Sequence, residues 1–598
     1  MERSMDRRTF VYGASLISAA GLCGIQKRAI SKEAQDSYTG DLPEKWDGEA
    51  DVVVIGSGAA GAAASWFALD GGCSVCLLEE LEDLGGSAIE NAGQIAYGST
   101  NVQKRLGYDT TPEQFKSWLQ YVGTDGVPEE LLDLYVNQGT EVIDWLESLG
   151  VSFEGDAKED NPMTYMTDDD GIDYDALKDN AINTLGVEFH PKYVDGWQGS
   201  PEPICHMAHY TEMTDEIRHY REDSMSSYAI DCTCGGPAYM LPILDSVRDM
   251  GADIHNNTRA VKGYKDETGR VCGVMAEGPN GEVLNFKANK AVVIAGGLWM
   301  TDADLAKEYG GHIIDCGFVP FSVSDGGTAE RIGLDMGGHI VNGDAYWLTS
   351  ESSFYLFSFF PSRHSAISKG IIVDGYGSRF VAEDIYTPLS CYEIGTRRQI
   401  EPPDKQQFWV VLNDDAYQHH MNYLDHRVSD GLAGTYSIVT TGDNTSDDNG
   451  TGHPANESDP ATMLHADTIE ELAELMDAPY LPTQIEIYNK MVEQGEDTQC
   501  GRFSENLDSY TPDRGPFHAG QINKGYLGGY TSGGLDINVH GQVLDDAGQP
   551  IPGLYAAGRS ARSICEGVHH PSTGMSCAQG MLMGRIIGKY IAAGEPQD

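Results

Sequence analysis

The sequence predicts an α/β protein, a Rossmann-like dinucleotide-binding domain that is discontinuous in the chain and carries an inserted α+β domain. Three observations predict it. Residues 51–79 read as strand, glycine turn, helix, strand and terminal acid, in that order. Two further apolar runs, 291–297 and 553–558, also end in glycine, and they lie far apart in the chain. Between them, from about 305 to 510, the pattern changes to mixed helix and strand.

Val52, Val53, Val54 and Ile55 form an apolar, β-branched run, the composition of a strand buried on both faces. Gly56-Ser57-Gly58-Ala59-Ala60-Gly61 then turns the chain into an alanine-rich helix. Gly56 suits the tight turn, Gly58 the close approach of backbone to a pyrophosphate, and Gly61 the packing of helix on strand. The helix N-terminus, with Ala60 in its first turn, offers N–H groups and a positive dipole end. A second apolar run ends at Glu79, at the spacing of an acid that takes ribose hydroxyls. Gly85-Gly86-Ser87 makes a second glycine turn, of the kind that runs along the ribityl and pyrophosphate region in two-dinucleotide enzymes.

Residues 112–150 have helical periodicity, with Phe115, Trp118, Leu119, Leu131, Leu132, Leu134 and Val136 on apolar faces. Residues 153–230 are polar and acidic and are assigned little regular structure; they are read as an insertion lining an entrance. Gly235-Gly236 opens a helix, and the stretches 252–255, 260–264 and 271–276 read as a small β-meander. Gly296 and Gly297 close the dinucleotide site from the side opposite Gly56. Residues 370–386 form a hairpin leading into a loop, and 428–467 form a Gly/Asn/Asp-rich loop. Thr468 caps the next helix, with Glu471 completing a capping box. At the C-terminus come a hairpin at 543–548, a strand ending at Gly558, and a helix over 574–588 with small residues at close-packing positions. The predicted divisions are a leader and linker at 1–48, the dinucleotide domain at 49–304 and 513–598, and the inserted domain at 305–512.

Acids outnumber bases 92 to 39, so the surface repels nucleic acid and anionic lipid, and neither is expected as a partner. No apolar run reaches the roughly 18 residues that span a membrane. Cys73 and Cys76 make a CxxC, but it falls in the second strand and reads as core packing. His190, His206, His209 and His219 lack a metal-ligand spacing and read as surface or loop residues, so no metal is expected. Arg7-Arg8-Thr9-Phe10 followed by a short apolar segment reads as a twin-arginine signal, which exports proteins already folded around a cofactor. That places the mature protein in the periplasm or on the outer face of the cell membrane.

These blocks resemble the flavoprotein superfamily of fumarate reductase, urocanate reductase and the 3-ketosteroid dehydrogenases. The resemblance covers roughly residues 49–110, 230–390 and 465–598. It rests on GSGAAG with Glu79, LGGSA, VVIAGG, the GSRFVAEDIY hairpin, and TSGGLDIN followed by IPGLYAAGR and GRIIG. It implies FAD, a cap domain inserted into the FAD-binding domain, and hydride exchange between flavin N5 and a carbon–carbon bond polarised by a carbonyl. In that setting the N–H groups near Gly574, Met575 and Ser576 would face the flavin N1/O2 edge.

The fumarate-reducing branch grips a dicarboxylate with arginines and a histidine, which are absent here. The hairpin runs instead into Tyr386, Thr387 and Pro388, and Tyr530 precedes Thr531-Ser532-Gly533-Gly534. Residues 567–574, GVHHPSTG, look more like the G-x-x-Y-P-x-x-G of the ketosteroid dehydrogenases, with His570 in place of the tyrosine. The resemblance implies that His570 and the Gly574 N–H stabilise charge on a carbonyl oxygen. Tyr386 or Tyr530 would then supply a proton. The expected activity is reduction of an enone or enoate larger than fumarate. Introduction of a double bond into a ketosteroid-like compound is the second reading, and a non-catalytic flavin electron carrier is the third. A respiratory partner, a cytochrome or a quinol-oxidising membrane protein, is expected to exchange the electrons.

Overall fold

The computed structural model describes residues 41–153, 182–183, 205–209, 235–310, 326–352, 370–383, 407–418, 463–566 and 574–595, a few single positions aside. The twin-arginine segment, His190, His219, Tyr386 and His570 lie outside the described residues, and of Tyr530 only the backbone is described.

Eight strands form the principal sheet. At its centre β1 (Gly48–Ile55) lies parallel to β2 (Val75–Leu78) on one side and to β6 (Val283–Ile294) on the other. Val52, Val53 and Val54 are almost wholly buried, as a central parallel strand covered on both faces requires. Beyond β2 the sheet continues with β3 (Asp253–His255), also parallel. Beyond β6 come β13 (Pro550–Ala556), parallel, and its hairpin partner β12 (Gln542–Leu544). The strand that closes the sheet on this side therefore comes from some 260 residues further along the chain. β4 (Arg259–Lys265) and β5 (Val271–Glu277) form an antiparallel hairpin that joins β6 through β5. The expected meander is thus only partly formed: β3 leaves it to extend the parallel sheet, because Cys76, Leu77 and Leu78 offer it a free edge.

A second sheet is wholly antiparallel. It contains β7 (Tyr346–Ser352), β8 (Ile371–Val373), β9 (Phe408–Leu412), β10 (Met463–Ala466) and β11 (Phe517–Thr531). β11 is its axis: its first residues lie between β9 and β10, and its last pair with β7. This strand lies beyond the 512/513 division read from the sequence. Residues 463–466, expected within a loop, form its edge strand. At the turn after β8, Arg379 bonds Glu383 through two N–H···O contacts of 2.7 Å and meets Asp497 at 2.7 Å, all three side chains fully buried. Glu383 also accepts the Ile372 N–H, so the ion pair ties the hairpin to the chain that leaves it.

The helical stretch read over 112–150 is two helices, Pro112–Val122 and α2 (Glu129–Ser148), with Phe115, Leu119, Leu131, Leu132 and Val136 buried. Thr468 caps its helix, α4 (Ile469–Met476), as expected, its hydroxyl accepting the Glu471 N–H at 3.2 Å. His206 and His209 are buried, not on the surface. His206 lies in the strand Cys205–Met207, paired with Gln94–Ala96, and its ring nitrogens meet Thr100 Oγ1 at 2.7 Å and the Ile95 carbonyl at 3.2 Å. A histidine in a central strand must be satisfied internally, and these two partners do so. No helix among the described residues is long and apolar enough to cross a membrane.

Helix α1 (Ala59–Asp70), from the N-terminal motif, packs along α5 (Met575–Ala592), the last helix of the chain. Small residues make this approach possible. A Cβ at Gly584 would lie 2.3 Å from the Ala60 carbonyl, and one at Gly588 would lie 2.7 Å from that of Ala64. Gly584→Val should therefore cost about 2–3 kcal/mol by overpacking. Thermal melting read by circular dichroism checks it, and an unchanged midpoint would contradict this account of the helix pair.

Candidate functional site

A cleft opens at the C-terminal ends of β1, β2 and β6. Parallel α/β sheets bind their ligands at such strand ends. Residues 55–58, 78–80, 258–260, 295–297 and 326–329, with Gly86 and Ser87, form its wall.

The glycines of the first turn separate by role. Gly56 has φ +95°, and a Cβ there would lie 2.3 Å from the Ala295 carbonyl, so the turn itself demands glycine. A Cβ at Gly61 would lie 1.9 Å from the Gly56 carbonyl, so Gly61 is required for packing. Gly58 is different. Its φ is negative, and a Cβ would come no nearer than 3.9 Å to the protein, at Gly85. The protein's own packing does not require glycine there. The open space lies at the start of α1, on the cleft wall, where a ligand needs the backbone close.

Ser57 links the first turn to the second. Its N–H and hydroxyl both donate to Glu79 Oε2, at 3.0 and 2.6 Å, and its Oγ accepts the Gly85 N–H at 2.9 Å. Glu79 Oε1 accepts the Leu81 N–H at 3.0 Å. A carboxylate has roughly four acceptor positions, so these three bonds leave Glu79 capacity for a ligand hydroxyl. Across the cleft, Gly296 packs on Ala329, the second residue of α3 (Thr328–Asp335). Gly297 donates its N–H to Ser560 Oγ at 3.2 Å.

The last helix begins beside this region. Gly574 has φ +82° and sits against Gln94 and Ile95 so closely that a Cβ would lie 2.8 Å from the Gln94 carbonyl carbon. Met575 is fully buried. Ser576 Oγ accepts the Arg559 Nε–H at 2.6 Å, and Arg559 also pairs with Glu566 at 2.7 Å and donates to the Thr531 carbonyl at 3.3 Å. Asn91 Nδ2 donates to the Tyr239 hydroxyl at 2.7 Å and to Cys577 Sγ at 3.0 Å. Burial pushes both the Tyr239 phenol and the Cys577 thiol up, so both stay protonated near neutral pH.

The structure thus brings Gly56, Gly58, Glu79, Gly86, Ser87, Gly296 and Gly297 onto one cleft wall. Gly61 and Gly85 shape the two turns behind it, and Ala60 packs against Gly558 and Gly580. Gly574, Met575 and Ser576 form the start of α5. The sequence reading missed Ser57, residues 258–260 and 326–329, and Arg559. A signal existed for one of these: Gly326-Gly327-Thr328 is a glycine turn opening an amphipathic helix.

Two glycine turns, an acid with acceptor capacity and a helix N-terminus fit an adenine dinucleotide. Residues 51–576 match the FAD binding domain family. The chain belongs to this family. Its FAD would be held by the two glycine turns, Glu79 and the Gly296-Gly297 turn. The chain is 25% identical over 590 residues to a 3-oxosteroid 1-dehydrogenase of Mycolicibacterium smegmatis, covering 91% of this chain and 97% of the relative. It is 24% identical over 626 residues to the digoxin reductase of Eggerthella lenta, covering 100% and 98%. Its fold is similar to the crystal structure of 3-ketosteroid-Δ4-(5α)-dehydrogenase from Rhodococcus jostii RHA1 in complex with 4-androstene-3,17-dione. The TM-score is 0.67 and the identity 25%, over 92% of this chain and 98% of the other.

Gly58→Val should give a folded protein without the yellow colour of bound FAD. Gly61→Val should fail to fold. Visible absorbance with far-UV circular dichroism separates the two, and a yellow Gly58→Val protein would show that the cleft is not the FAD site.

Proposed function

We propose that this protein is an exported FAD-dependent oxidoreductase that reduces a carbon–carbon double bond conjugated to a carbonyl, on a substrate larger and less charged than fumarate. When bound, FAD supplies hydride exchange with such a bond. The observation that carries the reading is the junction at the start of α5. Gly574 is a left-handed residue pressed on Gln94, and the segment leading into it is His570-Pro571-Ser572-Thr573. His570 and the Gly574 N–H would bind the carbonyl oxygen of the substrate as it gains charge. No arginine stands in that segment to take a carboxylate.

The proton falls to Tyr386 or Tyr530. Tyr386 follows by three residues Glu383, the acid fixed by Arg379. Tyr530 pairs in register with Trp347 on β7 and is next to Thr531, whose carbonyl takes a hydrogen bond from Arg559. Arg559 in turn holds Ser576 at the start of α5, so the end of β11 and the start of α5 share one hydrogen-bond network.

The likeness to the digoxin reductase supports reduction. The likeness to two steroid dehydrogenases supports the opposite direction, introduction of a double bond into a ketosteroid-like compound, as the second reading. A non-catalytic flavin carrier would show no turnover in either direction. The twin-arginine pattern supports export, with electrons from a cytochrome or a quinol-oxidising membrane protein.

Under anaerobic conditions, with the flavin reduced by a viologen dye, large uncharged enones should reoxidise it and fumarate should not. His570→Ala and Tyr386→Phe should each lower turnover at least about tenfold with flavin still bound. Full activity in both variants would overturn the site assignment. Turnover only with a saturated ketone and an oxidising dye would favour the second reading.

A further inference from the structure

Glu330 is the third residue of α3, the helix whose first two residues line the FAD cleft. Its side chain is 1% exposed, and Oε1 has no hydrogen-bond partner among the described residues. The carboxyl bonds Ser560, whose hydroxyl lies 3.2 Å from the Gly297 nitrogen and 3.3 Å from the Gly297 oxygen. Ser560 follows β13 and Gly297 follows β6, so this hydroxyl ties the ends of two parallel strands at the cleft wall. Glu330 stands directly behind the tie.

A hydroxyl has one proton to give. If Glu330 is neutral, its own O–H donates to Ser560 Oγ, and Ser560 donates to the Gly297 carbonyl. If Glu330 is ionised, it can only accept. It then accepts the Ser560 O–H, and the Gly297 carbonyl loses its donor, leaving the Gly297 N–H on Ser560 Oγ as the remaining bond of the tie. Which arrangement holds is set by charge and burial. Burial pushes the Glu330 carboxyl up to about 7; the Ser560 hydrogen bond and the Glu330 backbone N–H pull the other way without overcoming it, and the Glu80 and Asp302 carboxylates add to the rise. The bases on the surrounding elements are engaged elsewhere. Arg331 of α3 pairs with Asp302 at 2.6 Å, Lys262 of β4 with Asp335 at 3.2 Å, and Arg259 of β4 with Glu277 of β5 at 2.8 Å. Arg559, before Ser560, pairs with Glu566 at 2.7 Å.

We propose that Glu330 is a positioning residue of the FAD site: acting through Ser560, its neutral form holds the Gly297 turn by two hydrogen bonds, and its ionisation removes the one to the Gly297 carbonyl and loosens the turn, so FAD retention falls as pH rises. The diphosphate of FAD adds negative charge near the same wall, so FAD binding and Glu330 ionisation oppose each other. By linkage each raises the cost of the other. The proposal rests on the family's cofactor and is independent of the substrate.

FAD affinity of the full chain, measured by reconstituting apoprotein at pH 6, 7, 8 and 9, tests it. The wild-type dissociation constant should rise with pH above 7, by up to about tenfold per unit. Glu330→Gln keeps a donor toward Ser560 without a charge. It should bind FAD with little dependence on pH and should exceed the wild type at pH 9 at least about tenfold. If that variant fails to accumulate, Glu330→Met, uncharged and of similar volume, should also lose the pH dependence. Equal wild-type affinity at pH 6 and 9, or the same pH dependence in either variant, would overturn the proposal.

Discussion

One buried carboxylate governs the geometry of the cofactor site. Glu79 ends β2, Ser57 ends the turn after β1, and the serine spans from that carboxylate to the backbone of the second glycine turn. Hydrogen bonds to a charged group contribute about 1.5–3 kcal/mol each, and stranding the acid by removing its donors would cost more. This is why two loops with few side chains can be rigid. Their glycines leave room for a ligand, and the Ser57–Glu79 bonds supply the stiffness that glycine cannot.

The second constraint is distance along the chain. The principal sheet needs β13, and α1 needs α5. Both come from the last fifty residues: α5 meets α1 near the start of the described chain, and β13 meets β6 near its middle. The contact of α1 with α5 is made with small residues on both sides, so backbone approaches backbone and little tolerance remains. The antiparallel sheet uses a different device, the buried pairing of Arg379 with Glu383 and Asp497 at the exit from a hairpin.

What the residues disclosed, and what they concealed, follows from the range of the interactions. The β-branched run before Gly56, the acid at Glu79 and the glycine-ended strands were legible because each is a local pattern with a local cause. The antiparallel sheet was not. β11 is rich in glycine and polar residues, and its partners lie more than fifty residues away. His206 looked like a loop residue because its strand is three residues long and its satisfaction depends on Thr100 and Ile95. Ser57 occupies a variable position within the glycine motif, so nothing in the motif marks it. Glu330 sits in a helix with ordinary amphipathic spacing, and only the fold shows that it is buried.

The pairing of α1 with α5 also sets a schedule. A ribosome releases the first helix long before it makes the last, and until then the Gly56–Gly61 turn has only half of its packing surface. The nucleotide pocket cannot be completed on a nascent chain. Loading of the yellow prosthetic group is therefore an event of the finished polypeptide, and a premature stop near residue 570 would yield an empty protein however well its first domain had begun to fold.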